Sequence, residues 1–261
     1  MQLANCKQIK PFGLELPGTE LPLAEPLKEL LARHGLLIFR DCATRDRDQL
    51  IELCRSWGPI FSWPFGEVLE LVTHHEPKNY IFTPGSVPLH WDGAFREQVP
   101  GVEVFHCLEA PDPGAGGETT FVDTPGVLAK AGSETRERWR KICISYSTEK
   151  VVHYGGRTSS PLITRHPFQP ELETIRWGEP KDEDTSDLNP IQLEVRGADP
   201  DSLTQELRRH LYHPDHLYAH RWADNDLVVA DNHRLLHGRY AFRSNSPRHI
   251  RRVHLLHLKG A

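Results

Sequence analysis

From about residue 67 onward the chain is a run of short apolar stretches separated by proline and glycine, of which it holds 21 and 19. That punctuation is typical of all-β sandwiches, whose short strands end at turn residues. The expected strands are Val68–Thr73, Val87–Trp91, Val102–Leu108, Thr119–Val122, Ile142–Ser147, Pro161–Thr164, Leu217–Arg221, Leu227–Ala230 and Ile250–Leu258. Helices are expected at Glu134–Lys141 and Asp201–Leu211.

The first sixty residues follow a different pattern. Leu27, Leu30, Leu31 and His34 recur at helical spacing, with Gly35 as the stop signal. Leu36-Leu37-Ile38-Phe39 is expected to be a buried strand. Leu50, Leu53, Cys54 and Trp57 then mark a second amphipathic helix closed by Gly58-Pro59. The acidic stretch Glu179–Asn189 is short of apolar residues and is expected to be a surface loop or a lid. With no internal repeat and no linker, residues 1–261 are read as one domain, mainly β with flanking helices.

Composition excludes several classes. A formal charge of −5 gives no electrostatic reason to bind nucleic acid. The five cysteines are scattered without a C-x-x-C pair, which argues against a disulfide framework or a structural zinc site and suits a reducing cytoplasm. No signal-peptide pattern opens the chain, and no stretch reaches the ~18–20 apolar residues of a membrane span. The expected partner is therefore a small molecule; a homo-oligomer is compatible with such a chain.

The chemistry rests on three elements. His90 and Asp92, in VPLHWDGAF, are two apart, so in an extended strand both side chains face one way and can converge on a metal ion. With 16 histidines in the chain, about one H-x-D pair is expected by chance. A second pair, His213-Pro214-Asp215, contains proline after a predicted helix and reads as a turn. The second element is a distant histidine after Leu227–Ala230: His237, with His233 as its rival, would complete a facial triad for iron(II) that leaves adjacent positions open. The third is Arg248, in SPRHIRRVHL. A triad iron needs a two-electron donor to activate dioxygen, and 2-oxoglutarate serves by chelation. Its far carboxylate then needs a buried, permanently charged partner. Arg248 and Arg252 share one strand face, with His249 and Arg251 on the other.

With these residues in view, the chain resembles the TauD/TfdA family of iron(II)- and 2-oxoglutarate-dependent dioxygenases over nearly its whole length. His34-Gly35-Leu36-Leu37-Ile38-Phe39-Arg40 is similar to an early family strand, Gly116-Gly117-Glu118-Thr119 to a "GG-acid-T" segment, and Asp231-Asn232-His233-Arg234…His237 to a "DNR…H" segment. The resemblance implies a double-stranded β-helix (jelly-roll, cupin-like) core. It implies iron(II) on His90, Asp92 and His237, and places Thr119 and Arg248 on 2-oxoglutarate, with dioxygen as the oxidant. His233 departs from the arginine of many members, and a one-residue slip leaves Arg248, Arg251 and Arg252 as alternatives for the cosubstrate. Arg252 matches a second family arginine that contacts substrate or cosubstrate.

The segment HHEPKNYIFTPGSVPLHWDGAF is most similar to the PvcB-type isonitrile enzymes. That subgroup acts on an amino-acid-derived isonitrile, typically from tyrosine, and installs an alkene. The implied activity is desaturation or hydroxylation in secondary metabolism. Because Asp92 fills the carboxylate position, halogenation is not expected. His74, His75 and Tyr80 precede the metal strand and are candidates for the substrate wall, and Arg252 for a substrate carboxylate. The alternatives are a TauD-like hydroxylase of another small acid, a catalytically silent cupin-like binding protein, and a zinc hydrolase, which leaves Arg248 and Thr119 without a task.

Overall fold

The computed structural model describes residues 6–148, 156–181, 188 and 191–260. Its opening follows from capping and burial. Helix α1 (Ala24–His34) buries Leu27 and Leu31 and ends at Gly35, whose φ of 72° suits a residue without Cβ. Helix α2 (Arg47–Trp57) starts from a capping box in which Asp46 and Gln49 each bond the other's backbone, and it buries Leu50, Cys54 and Trp57.

Strands are numbered along the chain. The larger sheet has seven, in the spatial order β1 (Lys7–Gln8), β2 (Leu14–Pro17), β3 (Leu36–Arg40), β14 (Leu227–Asp231), β6 (Val102–Glu109), β16 (His249–Leu255) and β4 (Val68–Leu71). All its pairs are antiparallel except β2 with β3. Four antiparallel strands form the smaller sheet: β13 (Leu217–His220), β7 (Thr119–Asp123), β15 (Leu235–Arg239) and β5 (Val87–His90). The two sheets face each other as the expected jelly roll.

The period of two along each strand sorts side chains into layers. On β14, Leu227 and Val229 join the core beneath α1 and α2, while Val228 and Ala230 join the core between the sheets. On β7, Phe121 points between the sheets and Val122 outward. Outside the smaller sheet lies a third apolar layer, built with α3 (Thr124–Lys130), α4 (Ser133–Arg140) and α5 (Pro200–Leu211). Its strands are β8 (Cys143–Ser147), β9 (Arg157–Pro161), β10 (Ile163–His166), β11 (Gln169–Ile175) and β12 (Gln192–Arg196). Trp139 and Trp177 are fully buried in this layer, each contributing on the order of 2–3 kcal/mol of hydrophobic stabilisation.

The departures from sequence expectation have local causes. The strand expected at Pro161–Thr164 is the junction of β9 and β10, because Leu162 breaks the run and donates instead to Ile142 O. The last strand stops at Leu255, where Leu256 turns to bond Pro59. Of the acidic stretch Glu179–Asn189, only Glu179, Pro180, Lys181 and Leu188 lie within the described residues.

Candidate active site

The site lies between the sheets, on strand positions that face inward. His90 ends β5 and His237 sits in β15, and the register pairs them directly. Gly238 lets these strands close up: a Cβ there would meet Val87 O at 2.6 Å and Thr120 Oγ1 at 3.0 Å. Asp92 lies just beyond β5, where Asn232 grips its backbone. Asp92 N donates to Asn232 Oδ1 at 2.9 Å, and Asn232 Nδ2 donates to the Asp92 and Pro100 carbonyls at 2.9 and 2.7 Å.

His90, Asp92 and His237 thus each offer a donor atom, all within 4.8 Å of one another. His90 Nε2 is 3.6 Å from Asp92 Oδ1, and His237 Nε2 is 3.9 Å from Asp92 Oδ2. His90 Nδ1 lies 2.8 Å from the Pro88 carbonyl, which can only accept, so the proton sits on Nδ1 and the Nε2 lone pair is left for a metal. Burial, then the charge on His90, holds the His237 pKa well below its ordinary value, keeping that imidazole neutral. Burial works against an ionised Asp92, but Arg252, with His254 and His90, outweighs it and holds the carboxyl well below its usual range. Arg252 Nη1 is 2.5 Å and His254 Nε2 2.9 Å from Asp92 Oδ2. Against burial, Asp92 pushes the His90 pKa up; with a metal in place of that extra proton, two imidazole nitrogens and one ionised carboxylate are a fitting donor set for iron(II).

Arg248 stands apart from these groups and is 8% exposed. Among the described residues no carboxylate lies within ion-pair distance; its bonds go to Gly117 O at 3.3 Å and Thr119 Oγ1 at 3.4 Å. Burial, with Arg239 nearby, pushes its pKa down to about 9. A buried guanidinium without an acidic partner suits a bound carboxylate. Trp222 Nε1 also donates to Thr119 Oγ1, at 3.0 Å, so the hydroxyl keeps its own proton for another acceptor. These contacts fit the far carboxylate of 2-oxoglutarate.

Arg251 turns the other way and binds Glu70 at 3.1 Å, as the strand alternation requires. His233 is also directed elsewhere: Arg176 donates to its Nδ1 at 2.7 Å, and burial with Arg176 pushes its pKa to about 3. His213 and Asp215 lie in an exposed turn.

Beside the cluster is a cavity of about 680 Å³, walled by aromatic side chains including Trp63, Phe65, Tyr80, Phe82, Trp91 and Phe95. Tyr80 belongs to a short 3-10 turn, Tyr80–Phe82, and His74 stacks on Phe82 with ring centroids 4.2 Å apart. His74, Tyr80 and Arg252 line the cavity; His75 is exposed and outside that lining. Lys181 also lines it, with Nζ 3.9 Å from the centre of the Tyr80 ring.

Sequence reasoning passed over the groups behind the donors. Glu103, on β6, has Oε1 3.4 Å from His237 Nδ1 and 3.8 Å from His254 Nε2. Trp63 Nε1 donates to His254 Nδ1 at 2.8 Å. The available signal was parity: Glu103 is a charged residue at an inward position of the apolar run Val102–Glu109.

The model of the "Taurine catabolism dioxygenase TauD, TfdA family" matches residues 5–254. The chain is 43% identical to a "3-((Z)-2-isocyanoethenyl)-1H-indole synthase" of Fischerella ambigua, over 97% of this chain and 95% of that protein. It is 45% identical to a "Tyrosine isonitrile desaturase" of Pseudomonas aeruginosa, over 94% of this chain and 87% of the relative. The solved structure of PvcB from Pseudomonas aeruginosa superposes with a TM-score of 0.77 at 41% identity, covering 94% of this chain and 86% of PvcB. PvcB is described as an Fe, alpha-ketoglutarate dependent oxygenase from an isonitrile synthetic pathway.

Proposed function

Starting from the finding that this chain belongs to the TauD/TfdA family of iron(II)- and 2-oxoglutarate-dependent dioxygenases, we propose that it oxidises an isonitrile derived from an aromatic amino acid. The carrying observation is the aromatic cavity of about 680 Å³ that His90, Asp92 and Arg252 help to line. Its size is in the range of pockets for small organic ligands. Flat walls suit a phenol or indole ring, and the described cations in the lining suit the carboxylate such a substrate carries. The relatives' names, a desaturase of tyrosine isonitrile and a synthase of an isocyanoethenyl indole, support the same reading.

On this reading His90, Asp92 and His237 hold iron(II), and Arg248 and Thr119 hold the distal carboxylate of 2-oxoglutarate. Iron and 2-oxoglutarate supply, when bound, the two-electron oxidation driven by dioxygen, with succinate and carbon dioxide as coproducts. The protein supplies orientation. His90 and His237 keep their Nε2 lone pairs on the donor centre, and Arg252 and His254 keep Asp92 ionised. The aromatic walls give a flat apolar surface on which the substrate's ring can stack beside that centre. Arg252 is engaged with Asp92, yet it lines the cavity and has donors left for a substrate carboxylate.

A screen for 2-oxoglutarate-dependent succinate release against tyrosine and tryptophan isonitriles, their parent amino acids and other small acids tests the proposal. An isonitrile is expected to stimulate succinate release and yield a product lacking two hydrogens, with or without carbon dioxide. A gain of one oxygen would instead identify hydroxylation. Stimulation by a different small acid, with none by either isonitrile, overturns the substrate assignment.

A further inference from the structure

Strand β6 carries an acid where its alternation asks for an apolar residue. Val102 and Val104 pack beneath the helices, and Phe105 and Cys107 belong to the core between the sheets. Glu103 shares the inward face of Phe105 and Cys107 and is 1% exposed. Burying a carboxyl is unfavourable unless it is hydrogen-bonded, yet Glu103 Oε1 has no hydrogen-bond partner among the described residues.

What Oε1 faces is specific. His254 Nε2 is 3.8 Å away, but that ring is already committed. Trp63 donates to its Nδ1 at 2.8 Å, so in the neutral ring the proton is on Nε2, which points at Asp92 Oδ2 at 2.9 Å. The other neighbour is His237 Nδ1, at 3.4 Å. If His237 presents Nε2 to the donor centre, its Nδ1 must carry the proton, and Glu103 Oε1 faces it. Burial pushes the Glu103 pKa up, against the pull of His254; carboxylate or acid, the group keeps an oxygen that can accept.

We propose that Glu103 is a positioning residue that accepts the Nδ1–H of His237, fixing that imidazole's tautomer and ring orientation so that Nε2 meets the centre shared with His90 and Asp92. The inference rests on the metal reading given above. Such outer partners raise the basicity of a ligating imidazole and restrict its rotation, so they act on metal affinity itself.

Titration of the metal-stripped full chain with Co(II), followed by visible absorption and calorimetry, tests this without turnover. Glu103→Leu, close in volume but with no acceptor, is expected to weaken Co(II) binding about 10–100-fold. Glu103→Gln retains a carbonyl acceptor and is expected to stay within a few-fold of wild type. Wild-type affinity and an unchanged spectrum in Glu103→Leu overturn the proposal, as does a tenfold loss in Glu103→Gln. Should Glu103→Leu fail to fold, the Zn(II)-loaded wild type decides by NMR: a slowly exchanging His237 Nδ1 proton supports the bond, and rapid exchange overturns it. Wild-type protein that binds no Co(II) would refute the metal reading instead.

Discussion

Asn232 offers the sharpest test of how the site is held. Its side chain is 1% exposed and makes three hydrogen bonds to backbone groups of Asp92 and Pro100, at 2.9, 2.9 and 2.7 Å. Asn232→Ala removes all three. At about 1 kcal/mol net for each bond, the loss is about 3 kcal/mol. With an unfolding entropy of roughly 2.1 cal/mol/K per residue over 261 residues, that lowers Tm by about 5 °C. Because the clamp acts on the backbone of Asp92, the carboxylate should also lose its fixed approach to His90 and His237, weakening Co(II) binding about tenfold or more. Calorimetric melting of the metal-free protein reads the first quantity and Co(II) titration the second. A melting temperature within about a degree of wild type refutes the hydrogen-bond reasoning. A lowered Tm with unchanged Co(II) affinity leaves Asn232 a brace of the fold and removes it from the orientation of Asp92.

Arg248→Lys keeps a charge but loses the planar fork, so the KM for 2-oxoglutarate is expected to rise about tenfold or more while Co(II) affinity is unchanged; an unaltered KM takes Arg248 out of that role. His106 is fully buried with neither ring nitrogen hydrogen-bonded among the described residues, and burial, followed by Arg45 and Arg251, pushes its pKa down to about 4. Since its folded pKa lies below the ordinary 6.5, the unfolded chain takes up the proton first, and stability falls as pH drops from about 6.5 toward 4. His106→Leu removes this penalty, so urea denaturation of metal-free protein should show a smaller loss from pH 7 to pH 5, by about 2 kcal/mol. Equal losses in variant and wild type contradict the assignment.

Much of the architecture was legible because a strand buried on both faces reads as a near-continuous apolar run. Val102–Leu108 and Leu227–Ala230 were each found to within a residue at their C-terminal ends. β9 and β12 were not, since RTSSP and QLEVR are exposed at alternate positions and carry little apolar signal. β15 was missed for a different reason. Its inward residues include a histidine and an arginine, and its glycine is there for close approach, so Leu235–Arg239 does not look like a core strand. That omission is also why residue spacing alone left His233 as a rival to His237. Once β15 is drawn, His237 lies opposite His90, while His233 sits in the preceding turn against Arg176. Glu103 escaped because a lone acid within an apolar run is easily read as noise. Its meaning depends on which strands flank it, and that pairing is long-range.

The division of labour between the sheets has a consequence for how such a protein can diversify. The two imidazoles come from the smaller sheet, whereas Glu103, Arg252 and His254 reach across from the larger one. Much of the cavity wall, including residues 78–82, 93–95 and 178–181, belongs to segments outside both. Donor identity, donor tuning and ligand shape are therefore written on three separate stretches of backbone. A lineage can reshape what enters the chamber by editing its connecting segments, with the reactive centre inherited intact.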